Sequence, residues 1–329
     1  MKKIIFAMML AATMVGCGQK QGKTAANEGA DSTEIAQKAD SAISERSDDY
    51  DFEAIAKAID GCIGTYNFRN GVAGILGSDR QMFYIDLKGN RVEKPEEEIP
   101  ELRRDWESES PKAGYLDRTG KRVLEVDFSQ AEEFSDGMAR VVDGNNRIGF
   151  INTNGELVIP CQYPFTGEVD MACSNFHEGY CWVVIDSGND WYAFIDKKGK
   201  RLSPVNYSGA GDFNEGLAYV NELREVPGED YDEHSGFIDK TGKMVIDLNG
   251  AQSDCFSDGV AKVWRGEQEV WFIDKTGKRL FDVDTNIIHA ISYFVFTQGL
   301  APVQGRGKYA GKYGFMDKKG RITFCLDKE

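Results

Sequence analysis

Two positions that carry an acid recur along this chain, and a recurring carboxylate is the first feature that could do chemistry. One is the residue before glycine in phrases of the form F-x-x-G: Asn70, Asp136, Glu178, Glu215, Asp258 and Gln298. The other is the fourth residue of phrases such as 236–246, GFIDKTGKMVI, and reads Asp86, Asp117, Asn152, Asp196, Asp239, Asp274 and Asp317. A carboxylate there could ligate a hard cation or serve as a general base, and both roles need the charged oxygen. Comparing the copies argues against either role. Acid and amide exchange freely at both positions, so a function repeated in every copy is excluded. At the second position the expected role is a turn, because Asp and Asn accept hydrogen bonds from the backbone two or three residues on.

Other polar groups are no better organised for catalysis. The acidic stretch 228–235, GEDYDEHS, lacks the order of acids and glycine of a dedicated calcium loop and reads as a solvated hairpin loop. His177, His234 and His289 lie far apart with no HExxH or Ser/His/Asp phrase near them, and there is no glycine-rich phosphate loop. No Cys/His cluster calls for zinc, so no metal and no cofactor are expected. The aromatics are the more informative candidates: Trp182, Trp191, Tyr192, Trp264 and Trp271 fall in neighbouring copies. Exposed on a concave surface, such rings suit glycan stacking or a protein hot spot; otherwise they fill gaps between units.

These residues are positioned by a repeat. The turn residues are spaced 31 to 44 apart, the period of an array of supersecondary units that stack on one another. In 216–220, GLAYV, Ala218 and Val220 share one face of a strand, and a small residue recurs at Ala73, Ala139, Cys181, Ala261 and Ala301. In the other phrase D-x-x-G, with Gly242 or Gly277 as the last residue, suits a type I turn closed by a G1 bulge. One repeat is then about three short antiparallel strands plus a variable loop. The predicted fold is all-β: six or seven such meanders over 61–329, in an open solenoid-like stack or, alternatively, a closed propeller-like ring. The segment 94–112 (KPEEEIPELRRDWESESPK) interrupts the pattern as an acidic insertion, and 48–60 predicts one short amphipathic capping helix.

The two phrases together resemble the bacterial WG-repeat family, a β-repeat often found in envelope proteins, over about residues 61–326. The chain departs from that family in lacking the Trp-Gly dipeptide: Ile148, Ser235, Val270 and Tyr313 stand where Trp is usual, and Trp271 displaces a glycine. The resemblance brings no catalytic residues with it.

The beginning of the chain concerns address. Two lysines precede an apolar run from Ile4 to Val15, about 12 residues where a bilayer span needs about 20, so residues 1–16 read as a signal peptide. Met14-Val15-Gly16-Cys17 resembles a bacterial lipobox, which implies lipidation of Cys17. The expected localisation is the bacterial cell envelope, lipid-anchored at the outer membrane, with the side it faces left open. Residues 17–47 are a polar tether in which Asp31-Ser32-Thr33 and Asp40-Ser41-Ala42 resemble an O-glycosylation acceptor. The formal charge of −15 argues against nucleic acid and anionic lipid headgroups as partners. The other cysteines, Cys62, Cys161, Cys173, Cys181, Cys255 and Cys325, match no disulfide scaffold, and their pairing stays open. The function expected is a non-enzymatic envelope lipoprotein that binds a protein or glycan. A glycan hydrolase with a loop-assembled carboxylate pair and a plain structural spacer are the alternatives.

Overall fold

The computed structural model describes residues 50–324 apart from 97–98, 108–111, 166–172, 187, 189–190, 225–231 and 290–294. The signal peptide, Cys17, the tether, residues 228–231 of the acidic stretch and Cys325 lie outside the described residues, while the rest of that stretch, from Asp232, is strand and not loop. The described chain forms seven small antiparallel sheets in sequence order, each a meander. It divides into two compact units, one of residues up to 93 with 258 onward, the other of 94–257.

The first unit holds the sheet built from Cys62–Thr65, Val72–Gly77, Met82–Asp86 and Arg91–Val92. It also holds Val260–Arg265, Glu269–Asp274 and Arg279–Asp282, and the last sheet, Leu300–Gln304, Tyr313–Asp317 and Ile322–Phe324. The second unit opens with Leu102–Arg104, Ala113–Asp117 and Arg122–Val126, which the acidic insertion itself feeds. Gln130–Ser135, Met138–Val142, Arg147–Asn152 and Leu157–Pro164 follow. Then come the two-stranded Tyr180–Asp186 with Trp191–Asp196, and the sheet of Gly209–Ala210, Leu217–Arg224, Asp232–Asp239 and Met244–Asp247.

Register explains why the phrases repeat. The small residue always faces the Ile or Met before the turn acid: Ala73 opposes Ile85, Ala139 opposes Ile151, Ala218 opposes Ile238 and Ala301 opposes Met316. All eight are buried. The D-x-x-G turns form as predicted. Gly242 N donates to Asp239 O at 2.9 Å, Asp239 N to Lys243 O at 2.9 Å, and Gly242 has φ +81°. The register shifts by one residue just beyond, as a G1 bulge requires. Gly236 has a different reason: a Cβ there would lie 2.1 Å from the carbonyl oxygen of Ile246 on the third strand. The position that carries Trp in the family is internal here, with Ile148, Ser235 and Val270 all buried.

The phenylalanine of each F-x-x-G phrase, half-buried at Phe134 and buried in the other copies, packs on the aromatic two residues before the turn acid of the preceding repeat. The pairs are Tyr115–Phe134, Phe150–Phe176, Phe194–Phe213, Phe237–Phe256 and Phe272–Phe296, with ring centroids 4.6 to 5.3 Å apart. A sixth pair, Phe315–Phe68 at 5.2 Å, joins the last sheet to the first. Thr65 Oγ1 donates to Gly314 O at 3.1 Å across the same seam. Both contacts lie within the first unit. The predicted helix is Phe52–Ala58, N-capped by Asp51, whose side chain accepts from Ala54 N. It lies over the seam, with Ile55 and Ile59 in one cluster with Ile85 of the first sheet and Phe315 of the last.

Candidate functional site

Every repeated acid among the described residues has a structural partner. The D-x-x-G acids are Asx turns. Asp239 Oδ1 accepts from Thr241 N at 2.8 Å, Thr241 Oγ1 at 2.5 Å and Lys243 N at 3.2 Å. Asp86, Asp117, Asp196, Asp274 and Asp317 make the corresponding backbone bonds. Asn152 Oδ1 accepts the same two, from Asn154 N at 3.0 Å and Glu156 N at 3.1 Å, so an amide replaces the acid without loss of the turn. The Thr119 hydroxyl and the neighbouring amides hold the Asp117 carboxyl below its ordinary range, stabilising the charge for a turn and not for proton transfer. Asp317 differs in being fully buried, with Arg321 and the Tyr50 hydroxyl on its second oxygen.

The acids before the F-x-x-G glycine do something the sequence reading missed. Asn70, Asp136, Glu178, Glu215, Asp258 and Gln298 all have φ between 50° and 54°, and the glycines after them are also positive. Two successive positive φ values make a type I′ hairpin turn, closed for example by Arg69 N to Val72 O at 2.8 Å and Val72 N to Arg69 O at 3.0 Å. From this tip the side chain reaches the same tip of the next repeat. Asp136 accepts from Gly179 N at 2.6 Å, Glu178 from Glu215 N at 2.7 Å and Gly216 N at 2.9 Å, and Asp258 from Gly299 N at 2.5 Å. Gln298 accepts from Gly71 N at 2.7 Å, the last repeat clasping the first.

A cation completes each acidic clasp. It is the lysine after the turn acid of the next repeat: Lys197 to Asp136 at 2.8 Å, Lys240 to Glu178 at 3.0 Å and Lys318 to Asp258 at 3.4 Å. Burial raises the Glu178 carboxyl, but Lys240 and the Gly216 and Glu215 amides outweigh it and leave it below its ordinary value. Gln298 is neutral, and the repeat it clasps has Leu87 where the repeats clasped by Asp136, Glu178 and Asp258 have lysine. At Gln298 the amide therefore matches an uncharged partner.

The candidate aromatics are packed more than presented. Trp182 and Tyr192 form an edge-on pair 5.4 Å apart and lie against the cluster of Phe194, Tyr207 and Phe213. Trp271 is 8 % exposed beneath the Arg279 guanidinium at 4.6 Å. Trp264, half-buried, carries Lys262 Nζ at 4.8 Å. Half-buried Trp191 stands opposite Asp186 in register. Near that pair an open cleft of about 360 Å³ is lined by Arg147, Gln162, Tyr163, Pro164, Ile185 and Asp186. It contributes one carboxylate, whereas glycoside hydrolysis needs two, roughly 5 to 9 Å apart. Among the described residues no three His, Cys, Asp or Glu side chains are gathered as metal ligands. Cys161, Cys181 and Cys255 are free thiols.

Among the described residues, the most exposed large aromatic was not one of the candidates. Trp106, in the acidic insertion, is 63 % exposed. Its indole N–H donates to Glu133 Oε1 at 3.1 Å, and Glu133 Oε2 accepts from Arg104 N at 2.8 Å. The signal that could have found it is its setting, a tryptophan among acids where the repeat is broken.

Comparison with known families bears on the middle of the chain. Residues 114–146, 148–188 and 192–222 each match the family model described as WG containing repeat. Outside that stretch, Ala73, Ala261 and Ala301 keep the same register opposite Ile85, Ile273 and Met316. No curated protein matches the chain. Among solved structures, similarity extends to a eukaryotic initiation factor, with 12 % identity over 80 % of this chain and 72 % of that one and a TM-score of 0.48. BamB from Moraxella catarrhalis has 12 % identity over 79 % and 81 % at a TM-score of 0.34. The computationally designed Ika8 protein has 11 % identity over 80 % and 86 % at 0.40. Likenesses this distant carry nothing about what the WG repeats bind.

Proposed function

We propose that this chain is a lipid-anchored, non-enzymatic binding module of a bacterial cell envelope. Its WG repeats build the scaffold, and its non-repeating segments select a protein or glycan partner. The observation that supports this reading is the fate of the repeated polar groups. The turn acids close their own hairpins, and the acids before glycine clasp the next repeat wherever a partner is described. What remains for recognition is what does not repeat.

The test uses the full chain, affinity-tagged and cross-linked in intact cells, with an oligosaccharide array in parallel. A specific protein or sugar retained by the parent and not by an unrelated lipoprotein is the expected result. Retention of neither overturns the proposal. The anchor is tested separately: Cys17→Ala should release the chain from the membrane fraction, and its continued sedimentation with membranes would refute lipidation there.

A further inference from the structure

We infer that the first repeat, around Tyr84 and Asn70, is an open joint: a docking site for a hairpin of a partner protein that carries phenylalanine three residues ahead of glycine. This deepens the binding-module reading above and rests on it. Three observations carry it.

First, four filled joints show what occupies such a place. Phe176 packs on Phe150 and Gly179 N donates to Asp136, while Phe213 packs on Phe194 and Gly216 N donates to Glu178. Phe296 and Gly299 do the same to Phe272 and Asp258, and Phe68 and Gly71 to Phe315 and Gln298. Each repeat thus offers one ring and one acceptor, and a single F-x-x-G phrase takes both.

Second, the first repeat offers the same pair and nothing takes it. Its ring is Tyr84, two residues before Asp86, and its acceptor is Asn70, at φ 50° like its counterparts. Among the described residues no aromatic ring pairs with Tyr84 and no hydrogen bond reaches the Asn70 carboxamide. The cause is in the next copy. Leu102 stands opposite Asp117 as Val72 stands opposite Asp86, which puts Glu98 and Glu101 where that copy would need its phenylalanine and glycine.

Third, the setting of Tyr84 suits an incoming ring. Tyr84 opposes Gly74, and a Cβ at Gly74 would lie 2.9 Å from Met82 Cε, 3.6 Å from Tyr84 Cε1 and 3.7 Å from Tyr66 Cδ2. Three large side chains therefore converge over a residue that has none, with Tyr66 52 % and Met82 43 % exposed. Tyr and Met are enriched where proteins meet, and aromatic rings pair edge-on or offset. Asn70 is neutral, as Gln298 is, so the arriving phrase needs no lysine beside it. All six F-x-x-G phenylalanines of this chain are already paired, so a second copy has none to offer and the occupant is another protein.

The probe is a fluorescein-labelled peptide with the sequence of residues 65–76, TYNFRNGVAGIL, whose Asn-Gly favours the type I′ turn, titrated with the full chain in detergent. The parent should bind it, and should bind the same peptide carrying Phe68→Ala roughly tenfold more weakly. In the full chain, Tyr84→Ala should weaken binding roughly five- to tenfold. Asn70→Gly, which removes the carboxamide and leaves positive φ without strain, should weaken it roughly threefold. Leu280→Ala, at an exposed position of another sheet, should leave it unchanged. Circular dichroism confirms the fold of each variant, and Tyr66→Ala, at the more exposed ring, repeats the test if Tyr84→Ala unfolds. No binding by the parent, or equal binding by Tyr84→Ala and Asn70→Gly, overturns the proposal. So does self-association of the parent in sedimentation that Tyr84→Ala abolishes, which would make a second copy the occupant. If Tyr84→Ala, cross-linked in cells, still captures the protein that the parent captures, this site is wrong and the binding-module reading stands. If the parent captures nothing, both fall.

Discussion

Glu178 tests whether the repeats are held together by their turn tips. Its two oxygens take the Glu215 and Gly216 amides of the next repeat, and Lys240 approaches at 3.0 Å. Hydrogen bonds to a charged group contribute about 1.5 to 3 kcal/mol each when shielded, and a surface ion pair about 0 to 1. The Glu178 side chain is 35 % exposed, so the lower end applies and Glu178→Ala should cost about 2 kcal/mol in all. Backbone strain does not confuse the measurement, because Glu178 already carries a Cβ at φ 51° and alanine adds none. Glu178→Gln keeps one acceptor and should cost about half as much. Since the folded carboxyl lies below its ordinary 4.5, its contribution is present above that pH and lost as pH falls through the lowered folded value. The gap between parent and Glu178→Ala should therefore be full at pH 7 and narrow in acid. Thermal and urea unfolding of both variants across pH measures this. A Glu178→Ala within 0.5 kcal/mol of the parent, or a gap flat in pH, would refute the clasp.

Three further outcomes follow from the same structure. Asp317→Ala, which empties a fully buried carboxylate site bonded to Lys319 N and Arg321 N, should cost about 3 kcal/mol, while Asn152→Asp should stay within about 0.5 kcal/mol. Unfolding curves that rank the two equally would contradict the reading of Asp317 as a turn acid whose burial adds to its role. The Cys255 thiol is pushed up to about 11 by burial and by the nearby Asp212 charge, so iodoacetamide at pH 8 should label it only after denaturation. Trp182→Ala should lose about 3 kcal/mol of stability, measured by urea unfolding, by opening the cluster around Phe213; an unchanged unfolding midpoint would return Trp182 to the recognition surface.

Much of the fold could be read from the sequence because it is local. Asp-x-x-Gly specifies its turn within five residues, and Ala opposite Ile repeats at a fixed register, so pattern and period suffice. Other features were not legible for physical reasons. The Asp-Gly and Asn-Gly dipeptides at 136–137, 258–259 and 70–71 are strong hairpin signals, but the Glu and Gln copies at the same place hide them, since neither favours positive φ on its own. For the aromatics at Trp182 and Trp271 the sequence left a binding surface and gap filling between units both open, because it gives residue type without burial. Trp106 was passed over because its neighbours are acids that suggest a solvated loop, whereas Glu133, 27 residues away, fixes the ring.

The closing of the ends is the subtlest case, since no local pattern states which repeat adjoins which. The clasps do state it once their chemistry is known. Asp136, Glu178 and Asp258 each meet a lysine of the repeat that follows, and the charge is needed because the partner is charged. Gln298 accepts from Gly71, far earlier in the chain, in the repeat whose lysine position is Leu87. A carboxylate at 298 would face no cation there and would gain nothing over the amide. Gln298→Glu alone should therefore be neutral or slightly destabilising, while Gln298→Glu with Leu87→Lys should recover a coupling of about 0.5 kcal/mol in a double-mutant cycle. Zero coupling would mean that the amide at 298 is incidental and that charge at the clasp does not follow the neighbour it meets.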